Sequence, residues 1–383
     1  MPPANPASAS LASVVTSPAS LPFIRVALDL DLYRALVELD RPATSEDVLH
    51  VRQAPEVPLR LIQDTLLILS GLGLVDLVKD DTFMANDLTK MLASTSSAAD
   101  EARFLSTESV FASAFTVPLL LESKYQNYPF EVDSTPYQHA YQMTGQTDPA
   151  REHDYATMDR QGRMSSSNTF IGANFGTVGT MSDRVRGLGY DLDAVMNEKR
   201  EASNTMVVVD VGVGPGKLLL ELKETYPWLQ PENLVLQQLD SDVQDIAGLT
   251  TTVWDFRSEA PQPQREADIY NFMHIFQDQP DPVVLAVLRK TSDAMKHSSS
   301  RILIHEFSKN SNNAKMHATM ITLMAGRLRS SSEWGKMAVD AGLEITFEKY
   351  PDTGEGIVEM RRTGRVEVAN ERVPNTNQKV ARN

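Results

Sequence analysis

The sequence contains no cysteine, which excludes a disulfide framework, a thiol nucleophile and a thiolate-bound metal. Its seven histidines are scattered without an H-x-x-x-H pair, so no metal box of familiar spacing is present. Positive charge is also scarce. With 36 Lys and Arg against 51 Asp and Glu, the formal net charge is -15, the wrong sign for a general nucleic-acid binder that must neutralise phosphate. No apolar run approaches the ~20 residues of a membrane span. The opening MPPANPASASLASVVTSPAS lacks the basic and apolar regions of a secretory signal and reads as a flexible arm, residues 1–20. A cytoplasmic location follows as the default expectation. What remains is the composition of a soluble globular protein, 42% hydrophobic and 23% charged, with enough of its 383 residues for two or three domains.

The richest stretch is TMVVVDVGVGPGKLLLELKETYP, Thr205 to Pro227. Val207 to Val209 form the short apolar run of a parallel strand covered on both faces, and Leu218 to Leu222 supply the apolar side of a helix. Between them stand Asp210, Gly212, Gly214 and Gly216. Glycine in such a turn allows positive φ and lets a ligand approach the main chain without meeting a Cβ. The same spacing opens many dinucleotide sites, and some glycine turns serve packing alone.

Residues 21–98 are helical and compact, with Thr44 as an N-cap, a long amphipathic helix ended by glycines in PLRLIQDTLLILSGLGLVDLV, and a strand-turn-strand around Lys79, Asp80 and Asp81. Three helices and a β-hairpin make a winged-helix arrangement. It lacks a basic recognition helix, so its surplus apolar surface points to dimerisation rather than DNA. Residues 99–200 are mostly helical and rich in aromatics and methionine, among them Phe104, Phe111, Phe115, Tyr137, Tyr141, Met158, Met164 and Phe170. Part of that stripe is placed to line a substrate cavity. Residues 201–364 alternate strands and helices: NLVLQQL, TTTVWDF, ADIYNFMHIF and RILIHEF as strands, PVVLAVLRKTSDAM and SSSEWGKMAVDAGL as helices, EITFEKY and GIVEMRR as a closing pair. This predicts an α/β fold, a doubly wound Rossmann-like sheet. Residues 365–383 form a polar tail.

From PFIRVALDLDLYRAL to GIVEM, these motifs and their order resemble the class I S-adenosylmethionine-dependent O-methyltransferases that act on small molecules in plants and fungi. The resemblance implies an N-terminal helical dimerisation domain, a helical substrate pocket, and a methyltransferase sheet holding S-adenosylmethionine. It places Gly212, Gly214 and Gly216 beneath the cofactor with Asp210 beside the turn, Asp255 at the adenine amine and Phe256 on the adenine ring. The sequence departs from that family at three places. Where the second strand usually ends in a ribose-gripping aspartate stands Gln238, whose amide can still hydrogen-bond a diol. Asp240 or Asp242 lies near enough in sequence to replace it. Where the base histidine precedes an aspartate stands Gln277, followed by Asp278; an amide cannot accept a proton near pH 7, so the ~10²–10⁴-fold such a base supplies is missing. Of two acids that flank the base, Glu306 survives in ILIHEF, whereas Leu328 occupies the other position in AGRLRSSSEW.

Three functions follow. A methylating enzyme could use a substitute base, His139, His274 or Asp278, although His274 and Gln277, three apart in a strand, would face opposite ways unless a turn begins between them. A second possibility resembles the leporin-type pericyclases of fungal polyketide and pyridone pathways, in which the base is likewise replaced and the bound cofactor contributes charge and shape. Here Gln277 would donate to a carbonyl, His139 would serve as donor or acid-base group, and Arg184, Arg186 or Arg327 would meet an oxyanion. This predicts a pericyclic cyclisation, Diels-Alder or Alder-ene in type, with or without dehydration and without methyl transfer. The third is a non-catalytic dimeric scaffold, disfavoured by the cofactor motifs. No metal is expected, and the expected partners are a polyketide-type substrate and a second copy of the chain, not nucleic acid or membrane.

Overall fold

The computed structural model describes residues 6–94, 96–144, 181–203, 205–212, 216–239, 246–296, 299–352 and 354–363. Its N-terminal part carries helices α1 (Pro6–Ser20), α2 (Pro22–Asp29), α3 (Leu32–Leu39), α4 (Ser45–Arg52), α5 (Leu59–Gly71) and α6 (Asp87–Ser94). Strand β1 (Ala43–Thr44) joins the hairpin of β2 (Asp76–Lys79) and β3 (Thr82–Met84) in the order β1-β3-β2. Thr44 caps α4 in a reciprocal box with Asp47, satisfying two backbone donors that a helix start leaves open. Leu32, Leu36, Val48, Ile62, Leu66, Leu69 and Phe83 close the core of this unit. The opening arm proves helical over α1, with Leu11, Val14 and Val15 exposed.

The next helices are α7 (Ser96–Phe104), a π-helical turn (Leu105–Ser109), α8 (Val110–Ser113) and α9 (Thr116–Glu122), then α10 (Pro136–Met143). Contrary to the reading of the sequence, the helical run Ala98–Glu122, 25 residues, is long and apolar enough to cross a membrane by length and composition. Asp100, Glu101, Arg103, Glu108 and Glu122 interrupt the run, but from Phe104 to Leu121 Glu108 is the one charge. Its inner side chains, Phe104 and Ala112, pack on Tyr137, Tyr141, Leu323 and Met324, while 22% of its apolar window is buried. Met158, Met164 and Phe170 lie outside the described residues, as do Asp240, Asp242 and the tail from 365.

Beyond them come α11 (Met181–Gly187), α12 (Leu192–Ser203), β4 (Val208–Val211), α13 (Lys217–Thr225), β5 (Leu234–Gln238), β6 (Thr250–Val253), β7 (Ile269–Met273), α14 (Asp281–Ala294) and β8 (Arg301–Phe307). The chain continues through α15 (Ala314–Met324), α16 (Ser331–Asp340), β9 (Leu343–Lys349) and β10 (Glu355–Arg362). Helix α15 escaped the sequence reading. The seven strands run β6-β5-β4-β7-β8-β10-β9, with β6 to β8 parallel and β10 antiparallel to both its neighbours. Two apolar layers cover the two faces, one built on Val209, Phe272, Phe276 and Trp334, the other on Val208, Leu219, Leu236 and Leu303. Strand β4 pairs with β5 on one side and β7 on the other. The chain order reverses there, and ligands of such sheets bind beyond the carboxyl ends of the strands at that point.

Candidate cofactor and active site

At the carboxyl end of β4, Asp210 is half-buried and accepts a hydrogen bond from Asn271 Nδ2 at 2.8 Å. The two are register partners on adjacent strands. Desolvation pushes the Asp210 carboxyl up to about 6, the Asn271 bond opposing it. A Cβ on Gly212 would stand 3.0 Å from Ile275 Cδ1. Gly216 opens α13 at φ 69, where a side chain would meet Leu249, Leu236 and Ile246. Gly214 lies outside the described residues. Gln238 is half-buried at the end of β5, and its carbonyl accepts from Trp254 N at 2.8 Å. Asp255 is partly exposed and accepts from Arg257 Nε at 3.2 Å, whereas Phe256 is 2% exposed within the core beside Trp254. The D-F pair is thus split between surface and core.

Beyond β7 the chain turns sharply. Strand geometry ends at Met273, His274 adopts φ 53, and Phe276–Asp278 form a 3-10 turn. The turn that could bring His274 round therefore exists, and the imidazole points at Glu355. Its Nε2 lies 2.8 Å from Glu355 Oε2, and its ring stacks on Phe307. Glu355 also lies 3.4 Å from His305 Nδ1 and 3.8 Å from Arg184 Nε. Burial opposes charge on His274, yet the bond and charge of Glu355 prevail and raise it; burial likewise opposes charge on Glu355, and the two imidazoles hold it below the usual carboxylate range.

Gln277 and Asp278 are buried. Glu306 Oε1 accepts the backbone N–H groups of Phe276 and Gln277 at 2.8 and 3.2 Å. Gln277 Oε1, Asp278 Oδ1 and Glu306 Oε2 are buried without a hydrogen-bond partner among the described residues. Burial pushes the Glu306 carboxyl up to about 7, against the pull of His274 and Arg329. Burial raises Asp278 well above its ordinary range, and the Glu306 charge adds to the effect. The structure therefore gathers Gln277, Asp278, Glu306 and His274 about one turn. His139, on α10, lies 3.7 Å from Glu122 and edge-on to Phe115.

Other side chains hold that turn, and the sequence did not single them out for it. Arg329, 1% exposed, donates to the Phe276 and Gln279 carbonyls at 2.6 and 2.8 Å and to Asp281. Gly326 lies so close that a Cβ would stand 2.6 Å from the Asp278 carbonyl carbon. Leu328 is buried with Phe307 and Met320, so the position of the missing acid is apolar. Of the arginines expected to meet an oxyanion, Arg186 pairs with Asp183 and Asp193, Arg327 pairs with Asp281 and Glu333, and Arg184 Nε lies 3.8 Å from Glu355 without a hydrogen-bond partner among the described residues.

Residues 189–344 match the O-methyltransferase domain family. The chain is 41% identical over 356 residues to "O-methyltransferase bfoE" of Aspergillus brasiliensis, covering 91% of this chain and 95% of that one. This chain belongs to the O-methyltransferase family. Two solved structures share its fold at 18% identity: "A Pericyclic Reaction enzyme", TM-score 0.71, covering 92% of this chain and 89% of that one, and LepI in complex with SAM, TM-score 0.73, covering 94% and 90%. As a member of this family the enzyme takes S-adenosylmethionine as its cofactor. The described cradle fits such a group. Gly212 leaves the main chain bare beside Ile275, Gly216 packs where no side chain would fit, and both lie at the switch point of the sheet.

Proposed function

We propose that the enzyme holds S-adenosylmethionine over Asp210, Gly212, Gly214 and Gly216, with Gln238 toward the ribose and Asp255 and Phe256 at the adenine end, and cyclises a polyketide-derived substrate without transferring the methyl group. The reaction is pericyclic, Diels-Alder or Alder-ene in type. One observation carries this reading: Gln277 stands where the family's base would be, while the nearby imidazoles of His274 and His305 face Glu355. When bound, the cofactor supplies a fixed positive charge beside the substrate. The Gln277 amide donates to a substrate carbonyl and draws electron density from the reacting π-system. Where the substrate carries a leaving hydroxyl, one of the two buried acids, Asp278 or Glu306, gives it a proton while the other takes a C–H proton, so that one water departs. A Glu306 carboxyl near 7 is suited to either direction of transfer.

That same carboxyl supports a second reading, methyl transfer to a substrate hydroxyl with Glu306 or Asp278 as the substitute base, in keeping with the name of the 41% identical relative. The deciding experiment incubates the enzyme with a polyketide precursor of an Aspergillus-type pathway, with S-adenosylmethionine and separately with S-adenosylhomocysteine, and follows product mass. Cyclisation predicts an unchanged mass or the loss of one water, with the methyl donor unconsumed. A product that is methylated and nothing else overturns it. In the same assay Gln277→His leaves cyclised product no higher than wild type; a large gain of methylated product supports the second reading. The N-terminal unit is proposed to pair two copies of the chain through its exposed Leu61, Leu67, Leu77, Val78, Met84 and Met91.

A further inference from the structure

We infer that Glu355, acting through His274, is a positioning residue that sets the turn on which both the glycine cradle and Gln277 depend. The inference rests on the cofactor assignment and is independent of the choice between cyclisation and methyl transfer. His274 sits at φ 53, a left-handed conformation that is unfavourable for a non-glycine residue. Local sequence does not favour it, so tertiary contacts must hold it. Three do: its N–H donates to His305 O at 3.0 Å, its ring stacks on Phe307, and its Nε2 meets Glu355. Glu355 is itself locked, because it opens β10 in register with Phe307 and is 7% exposed.

The next residue along the turn, Ile275, forms the wall against which Gly212 lies. Phe276 and Gln277 follow, both bonded to Glu306. A swing of His274 therefore moves the cradle wall and the Gln277 amide together. Glu355 touches neither. Arg184 brings helix α11 to the same carboxylate, so the last strand of the sheet and a helix preceding it meet at this one group.

The test is isothermal titration with S-adenosylhomocysteine, alongside thermal melting, for wild type, Glu355→Gln, His274→Asn and Glu359→Gln. Glu359 is the control. It lies four residues along β10, is equally buried, and bonds Tyr190, Arg301 and Thr346 away from the turn. Glu355→Gln is expected to weaken binding by about tenfold or more, His274→Asn by less, since asparagine tolerates the left-handed conformation. Glu359→Gln should lose melting temperature while keeping its affinity within about twofold. The inference is overturned if Glu355→Gln binds as wild type does, or if Glu359→Gln weakens binding equally. Should Glu355→Gln fail to fold, His274→Asn and His274→Gly carry the same comparison against Glu359→Gln. Absence of binding by wild type itself would refute the cofactor assignment and this inference with it, an outcome distinct from equal binding by all four.

Discussion

Gly326 shows how narrowly single residues constrain this site. The backbone at Gly326 lies against the carbonyl side of Gln277 and Asp278, so a methyl group there must push the turn or α15 aside. Gly335, inside α16, has no neighbour within 4 Å of a Cβ. Gly326→Ala should therefore destabilise by roughly 1–3 kcal/mol, as overpacking does, whereas Gly335→Ala should stabilise by about 0.5–1 kcal/mol. Urea unfolding of the pair checks both signs. The glycine turn was legible because its residue types have few other uses, and Gln277 because it departs from a known pattern. Glu355, Gly326 and Arg329 were not legible as turn-holders. Each acts on residues 48 to 81 positions away, and no local spacing encodes such a contact.

Among the elements, those with a strong period or a cap were readable in advance, including β8, in which every residue is buried, and α16, where Ser330 and Glu333 form a reciprocal capping box. Ser330→Ala should cost about 1 kcal/mol, measured by the shift in urea midpoint. The loss should leave cofactor affinity intact unless it loosens Arg329, its neighbour in sequence. Helix α15 was missed because AKMHATMITLM is apolar on most sides and buries Met320, Thr322, Leu323 and Met324 only at its end. The bend after β7 was missed in its particulars because a left-handed histidine is stabilised by Glu355, which no propensity registers. The fate of the D-F pair was equally hidden: Trp254 and the core draw Phe256 inward, and Arg257 holds Asp255 at the surface.

Over the whole molecule, the buried acids dictate how stability responds to pH. Glu306 is raised from 4.5 to about 7 and Asp210 from 3.8 to about 6, and Asp278 shifts in the same direction. The folded state keeps protons that the unfolded chain releases, so stability falls as pH rises through this window. His274, also raised, adds stability below its unfolded value and loses it as pH climbs past the folded one. Glu355 acts oppositely, its contribution fading as pH drops below about 4.5. Unfolding free energy should therefore be larger near pH 5.5 than near pH 8, and Glu306→Gln should shrink that difference. A flat profile would contradict the assignment of protonated carboxyls. At the same scale, light scattering should find two copies of the chain per particle, and Leu67→Asp, on the exposed side of α5, should yield a single copy with unchanged melting behaviour.

The sheet does not grow from one edge in the order of synthesis. Strand β10 is the last described element to be made, yet it slots between β8 and β9 and delivers Glu355 to His274. A nascent chain still short of Glu355 has β8 with a bare edge and a histidine without its carboxylate. Emergence from the ribosome and maturation of the site are thereby tied together. A premature stop codon anywhere upstream of β10 should leave a product that neither closes its sheet nor captures its ligand, however complete its glycine turn.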